Sequence, residues 1–317
     1  MDPNTTALLQ IKSIEDLKKT RCSYELRIEN ERSFYSRLDR TETTTEKVGA
    51  ALTATLNAFQ ERARKVAGTT VWDYVVECVN SRSYTRILSL GSGTCALETS
   101  LATRFKKSHK LVCIDVNPEI INRGVQMAAA KGVSITPVVQ DLNSLKLDQT
   151  FDMVLAHAVL HHLVELEHIF NEIRSHLSED GKFIVYDITA RNGLLLWPEQ
   201  RKIIDGLLAA LPPKFSYNHF LKRKTETFVE IDHSDQSFEC IRSQDVLPLL
   251  KEYFSTILLV KGFGFLRRFT DHEFGPNFDM GNDLDLKLFN FLLELDQWYV
   301  DNGALEPEAV FWVGRKH

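Results

Sequence analysis

Short apolar runs and amphipathic stretches alternate through the middle of this chain, and their order predicts its architecture. Runs at residues 86–90, 111–115, 135–139, 151–156 and 183–188 have the length of buried strands. Between them, apolar residues recur at helical spacing: Leu97, Leu101 and Phe105 after the first run, and Ile120, Ile121, Val125 and Ala128 after the second. Leu166, Ile169, Phe170, Ile173 and Leu177 repeat the pattern after the fourth. Strands separated by helices imply right-handed crossovers and a mostly parallel sheet covered on both faces. The predicted fold class is α/β, a doubly wound sheet of seven mostly parallel strands with N-terminal helices and a cap insertion.

The flanks depart from that alternation. Residues 1–80 read as helical, with a capping box at Ser13 to Asp16 and hydroxyl caps in the threonine patch 41–45. Val48, Leu52, Leu56 and Phe59 form one stripe, and a further helix over 71–79 carries Trp72, Val75 and Val79. This segment is expected to complete the core as a helical layer, or also to act as a lid over a ligand cleft. After residue 188 the period lapses. A helix near 198–211 meets the breaker Pro212-Pro213, and the polar and aromatic stretch to 242 reads as an insertion across the strand ends. A helix over 243–254, bent or started by Pro248, then precedes a strand at 256–260, a long helix at 284–300 and a last strand at 309–314. The expected parts are a helical layer or lid (1–80), a cofactor-binding core (81–190), a substrate cap (191–242) and the rest of the core (243–317), nested without a linker.

Composition narrows the class. With 44% hydrophobic and 26% charged residues the chain has the makeup of a globular protein, against disorder or fibre. A net charge of -5 argues against nucleic acid as the main partner, and Lys222-Arg223-Lys224 is short enough to be a solvated face. Five scattered cysteines without a Cys-x-x-Cys pair fit reduced thiols, and hence a cytoplasmic location. Neither a signal peptide nor a membrane span is expected.

Three signals carry chemistry. Leu90 leads into Gly91-Ser92-Gly93, a turn after a strand and before a helix, whose amides can approach a nucleotide-like cofactor. Asp115, followed by Val116, ends the next strand, where a carboxylate can accept both hydroxyls of a ribose. Asp141 and Leu142 end the third, placed to receive an adenine amino group and to pack on its face. All three lie at carboxyl ends of adjacent strands, where open α/β sheets bind ligands. Gly91, Gly93 and Ala96 also satisfy a looser nicotinamide fingerprint, so an oxidoreductase stays open at this point. His157, His161, His162 and His168 follow within twelve residues. His157 and His161 have the spacing of a two-histidine metal face, but no His-Glu-x-x-His is present and His157 ends a strand, so no metal is expected.

With these residues in place the sequence resembles the class I S-adenosylmethionine-dependent methyltransferases. Residues 88–95 look like their first motif, Asp115 like the ribose-binding acid and Asp141 like the adenine-side position. The run 158–163, its helix and residues 177–183 are similar to the family's fourth strand, helix and fifth strand. Likeness is good over 85–190, and the late strand pair is similar to the family's antiparallel finish. The resemblance implies S-adenosyl-L-methionine as cofactor, bound by Leu90, Gly91, Ser92, Gly93, Asp115, Val116, Asp141, Leu142 and His157. It implies methyl transfer to oxygen or nitrogen of a small organic acceptor, with His157, His161 or Asp187 as catalytic candidates. Trp197, Tyr217 and His219 in the insertion are the expected acceptor walls. Residues 239–248 weakly resemble bacterial methyltransferases of glycan and natural-product pathways. Many members carry an acid where this chain has Ser89 and a third glycine where it has Cys95. Those departures leave a second reading, a cofactor-binding scaffold without turnover.

Overall fold

The computed structural model describes residues 11–37 and 49–317, so the threonine patch and Val48 lie outside the described residues. Seven strands form one sheet: β1 (Tyr84–Leu90), β2 (Ser108–Asp115), β3 (Thr136–Val139), β4 (Phe151–His157), β5 (Leu177–Ile188), β6 (Ser255–Gly262) and β7 (Ala309–Arg315). Their spatial order is β3-β2-β1-β4-β5-β7-β6. The first five run parallel, and β7 lies antiparallel between β5 and β6. Sheet order reverses between β1 and β4, which opens a crevice at their carboxyl ends. Leu90 pairs with Ile114 on one side and Ala156 on the other, so the turns after β1, β2 and β4 emerge side by side.

The helices are α1 (Ile14–Leu17), α2 (Tyr24–Arg37), α3 (Ala50–Ala67), α4 (Val71–Asn80), α5 (Ala96–Ala102), α6 (Pro118–Ala130), α7 (Leu166–His176), α8 (Pro198–Ala210), α9 (Ser243–Tyr253), α10 (Leu266–Thr270) and α11 (Asp283–Asp301). Local chemistry sets several starts. Asn117 Oδ1 accepts from the amides of Glu119 at 3.0 Å and Ile120 at 3.3 Å while Pro118 takes the first turn of α6. The Thr70 hydroxyl does the same for α4, accepting from Asp73 N at 3.2 Å.

Alternation along the strands feeds two cores. Leu88, Val112, Val154 and Val185 pack beneath Ile169 and Phe170 of α7 and Leu250 of α9. Ile87, Cys113, Leu155 and Ile184 face the other way, onto Val75 and Val79 of α4, Leu101 of α5 and Ile121 of α6. At roughly 1.5–3 kcal/mol for each large apolar side chain, these two layers are the chief source of stability. In α3, Leu52 and Phe59 are buried but Leu56 is 39% exposed, because the inward stripe continues through Thr55 and Ala63. The aromatic stretch of the insertion joins a third core. Phe215 and Phe228 pack with Ile204 of α8, Phe269 of α10 and Phe289 of α11, so this layer draws on both sides of residue 242.

Candidate functional site

The turn after β1 is built for close approach. Gly91 has φ +58°, and a β-carbon there would lie 2.3 Å from Val159 Cγ2, so the turn after β4 presses directly on its backbone. Gly93 has φ +51° with nothing within 4 Å of the place a β-carbon would take, so it faces open cavity. Leu90 and Ser92 shape the turn from behind: Leu90 is buried, and Ser92 N donates to Ile114 O at 3.0 Å. Cys95 sits at φ +51°, in the left-handed region that favours glycine, which is why a third glycine suits this position. Ser89 donates to Glu98 Oε1 at 2.6 Å, so a buried carboxyl of α5 sits against this strand position. Burial pushes the Glu98 carboxyl above its ordinary value.

Asp115 is the hub of the neighbouring turn. Its Oδ2 accepts from Gly93 N and its Oδ1 from Asn117 N, both at 2.8 Å, which locks the ends of β1 and β2 together. Asp141 Oδ1 accepts from Asn143 N at 2.9 Å, and Oδ2 accepts from the Tyr24 hydroxyl of α2. That helix crosses the crevice. Arg32 donates to Val116 O at 3.2 Å, and buried Arg27 donates to the carbonyls of Cys22, Ser234 and Asp235 at 3.2, 2.5 and 3.0 Å. The result is a cavity of about 360 Å³, floored by Gly91, Gly93, Asp115, Val116 and Leu142 and roofed by Ile28, Arg32 and Tyr35. Such a volume is in the range of small-molecule and cofactor sites.

A polar cluster closes the far end. Asp187 is buried and accepts from the amides of Val159 at 2.9 Å and Leu160 at 2.8 Å, which fixes the turn after β4. Its other oxygen meets His161 Nδ1 at 2.5 Å. Burial works to raise the Asp187 carboxyl, but the His161 imidazole and those amides hold it below its usual value. His162 Nδ1 meets Glu31 Oε1 at 2.9 Å. Burial works to lower this imidazole, and the Glu31 carboxylate overcomes it. Glu239 faces both rings, which hold its carboxyl low against burial. His157 lines the wall, its ring parallel to Tyr186 at 5.6 Å and edge-on to Trp72 at 5.0 Å.

A family model described as "Methyltransferase domain" matches residues 81–252, more than half of the 317. The chain belongs to the methyltransferase domain family. That membership decides between the readings left open by Gly91, Gly93 and Ala96, in favour of S-adenosylmethionine over a nicotinamide. Over 102 residues the chain is 29% identical to malonyl-[acyl-carrier protein] O-methyltransferase of Bacillus anthracis, covering 32% of this chain and 37% of that one. The Bacillus cereus protein of the same name is 28% identical over 96 residues, covering 30% and 35%. The chain thus spans little more than a third of the length of these curated relatives. Among solved structures, the N-methyltransferase NodS from Bradyrhizobium japonicum, in complex with S-adenosyl-L-homocysteine, is similar with 14% identity and a TM-score of 0.44, covering 75% of this chain and 91% of that one.

A donor nucleotide fits this methyltransferase domain on its own geometry: a β-carbon at Gly93 would occupy the cavity, and Asp115 is aligned by two amides beside it. Asp115, Val116, Asp141, Leu142, His157 and His161 all line the same space. Asp187 does not; it acts through His161 and the turn. Trp197, Tyr217 and His219 are placed elsewhere. Trp197 lines a separate cavity with Leu247 and Leu305, while His219 Nε2 meets Asn277 Oδ1 at 2.9 Å. Tyr217 packs edge-on against His219. Ile28, Glu31 and Tyr35, which do line the cavity, lie on one helical stripe of α2 that mixes polar and apolar character. Glu239 comes from the last residues of the insertion, just ahead of α9.

Proposed function

We propose that this protein transfers a methyl group from S-adenosylmethionine to an oxygen or nitrogen of a small organic acceptor, of the natural-product or glycan type. The observation that carries this reading is one continuous cavity with the glycine turn and Asp115 at one end and His161, His162 and Glu239 at the other. Asp115 would hold the ribose hydroxyls and Asp141 with Leu142 the adenine, and the bound donor would supply a methyl group on a positively charged sulfur within the cavity that His157 and the polar cluster also line. The acceptor's lone pair bonds the methyl carbon as the sulfur–carbon bond breaks onto sulfur, and the acceptor's proton leaves to solvent. The chain's own task is alignment and exclusion of water. Positioned by Asp187, His161 would contact the acceptor, and α2 would act as the lid under which it is held. A roofed cavity of this size suits a small molecule and not a folded nucleic acid.

The test is a calorimetric titration with S-adenosyl-L-homocysteine and with a nicotinamide dinucleotide, followed by mass spectrometry of pooled small acceptors incubated with S-adenosylmethionine. Homocysteine-analogue binding and one product heavier by a methyl group are expected. Binding of the nicotinamide alone would refute the reading. Binding of the analogue with no product across the panel would favour a scaffold without turnover.

A further inference from the structure

The polar cluster has a geometry that contact with an acceptor does not by itself require. His161, His162 and Glu239 each present one ligand-type atom, and all three atoms lie within 4.8 Å of one another. His161 Nε2 is 3.7 Å from Glu239 Oε1, and His162 Nε2 is 3.5 Å from Glu239 Oε2. Ligands about 2.0–2.1 Å from a tetrahedral ion stand roughly 3.3 Å apart, so three atoms within 4.8 Å of one another need only a modest closing movement of the side chains to reach that spacing.

Both rings are also aimed from behind. Asp187 Oδ1 is on Nδ1 of His161 and Glu31 Oε1 is on Nδ1 of His162. A carboxylate on Nδ1 fixes the orientation of each ring and turns its Nε2 toward Glu239. Metal-bound histidines are oriented in this way, with the second ring nitrogen donated to a carboxylate. Charge points in the same direction. The three carboxylates of Asp187, Glu31 and Glu239 outnumber the two imidazoles at a nearly closed end of the cavity, where His161 is only 3% exposed. Two nitrogens and one oxygen favour a transition-metal ion over magnesium or calcium, which prefer all-oxygen sites.

We infer that His161, His162 and Glu239 bind a divalent transition-metal ion of the zinc or cobalt type, with Asp187 and Glu31 as its outer carboxylates and with its remaining positions open to the cavity. An oxygen of the methyl acceptor is the group that would take an open position, its hydroxyl proton released to solvent on binding. That last step rests on the methyl-transfer reading; the metal site does not.

The experiment uses the full chain without a histidine tag, freed of metal by a chelator. Titration with cobalt(II) is expected to give one ion per chain and visible absorption bands of a four- or five-coordinate site, displaced by zinc(II). Glu239→Gln and His162→Gln, both at the cavity surface, should each weaken zinc binding at least 100-fold with circular dichroism unchanged, and His161→Gln should do the same where it folds. Asp187→Asn and Glu31→Gln should weaken it roughly 10- to 100-fold. No bound cobalt or zinc in the unmodified chain at 100-fold excess of metal would overturn the inference, as would equal binding in Glu239→Gln and His162→Gln. The same preparations are titrated with S-adenosyl-L-homocysteine. Loss of that binding alone strikes the donor reading, and loss of metal binding alone strikes this one.

Discussion

Tyr24 of α2 donates its phenolic hydrogen to Asp141, at the end of β3, across more than a hundred residues of sequence. Burial and then the Asp141 carboxylate push the phenol well above its ordinary pKa, so the proton stays on Tyr24 and the bond is charge-assisted. It ties the helix over the cavity to the carboxylate placed for the adenine. Tyr24→Phe should therefore cost about 1.5–3 kcal/mol in urea denaturation. It should also speed amide hydrogen exchange across α2 without changing β1. Unaltered exchange in α2 would show that the helix is held by other contacts, such as those of Arg27.

Asp115 is the residue on which donor binding most depends. Since its two oxygens already align the amides of Gly93 and Asn117, Asp115→Ala removes both the ribose acceptor and the brace between β1 and β2. Affinity for S-adenosyl-L-homocysteine should fall by about 1.5–3 kcal/mol, a ten- to hundredfold rise in Kd. An unchanged Kd by calorimetry would take Asp115 out of the site.

The two glycines of the turn should fail differently when replaced. Both have positive φ, so alanine costs about 1–2 kcal/mol of backbone strain at either position. Only at Gly91 does the new β-carbon also collide with Val159. Gly91→Ala should lower Tm more than Gly93→Ala, whereas Gly93→Ala, which projects into the cavity, should lose donor affinity out of proportion to its stability loss. Equal Tm losses in the two variants would contradict the packing described for Gly91.

Much of this was legible in the sequence, for a reason visible in the two cores. β1 and β2 are buried along most of their length and read as apolar runs whose ends fix where the next turns emerge, which sets Gly91 and Asp115 side by side, while the exposed edge strand β3 brings Asp141 beside them by pairing with β2. Glu239 and Glu31 carry no such signal. They reach His161 and His162 only through tertiary packing, Glu31 along the mixed stripe of α2 and Glu239 through a segment that Arg27 pins by its carbonyls. Aromatic content gives no direction either: Trp197 lines a separate cavity, and Tyr217 packs on His219, which is bonded to Asn277.

Asp296 of α11 gives the fold a measurable pH dependence away from the site. Its Oδ1 accepts from the amides of Gly264, Phe265 and Leu266 at 2.9, 2.5 and 2.8 Å, which positions the approach to Arg267 on the cavity wall. Its Oδ2 is buried without a partner, and burial, aided by nearby Glu308, pushes the carboxyl from 3.8 up to about 6. Below pH 3.8 both folded and unfolded forms are protonated here, so the group does not favour unfolding. Between 3.8 and about 6 the unfolded carboxyl ionises first, the folded state holds more protons, and stability falls as pH rises. Above about 6 the loss is complete, at roughly 3 kcal/mol. Asp296→Asn keeps the acceptor for the three amides and removes the ionisation. Relative to the unmodified chain, the variant should gain about 2–3 kcal/mol between pH 4 and pH 7 in urea denaturation, whatever fixed cost its new amide incurs in place of the unpartnered oxygen. Parallel stability profiles for the two proteins across that range would show that the three amides, and not burial, govern the charge of Asp296.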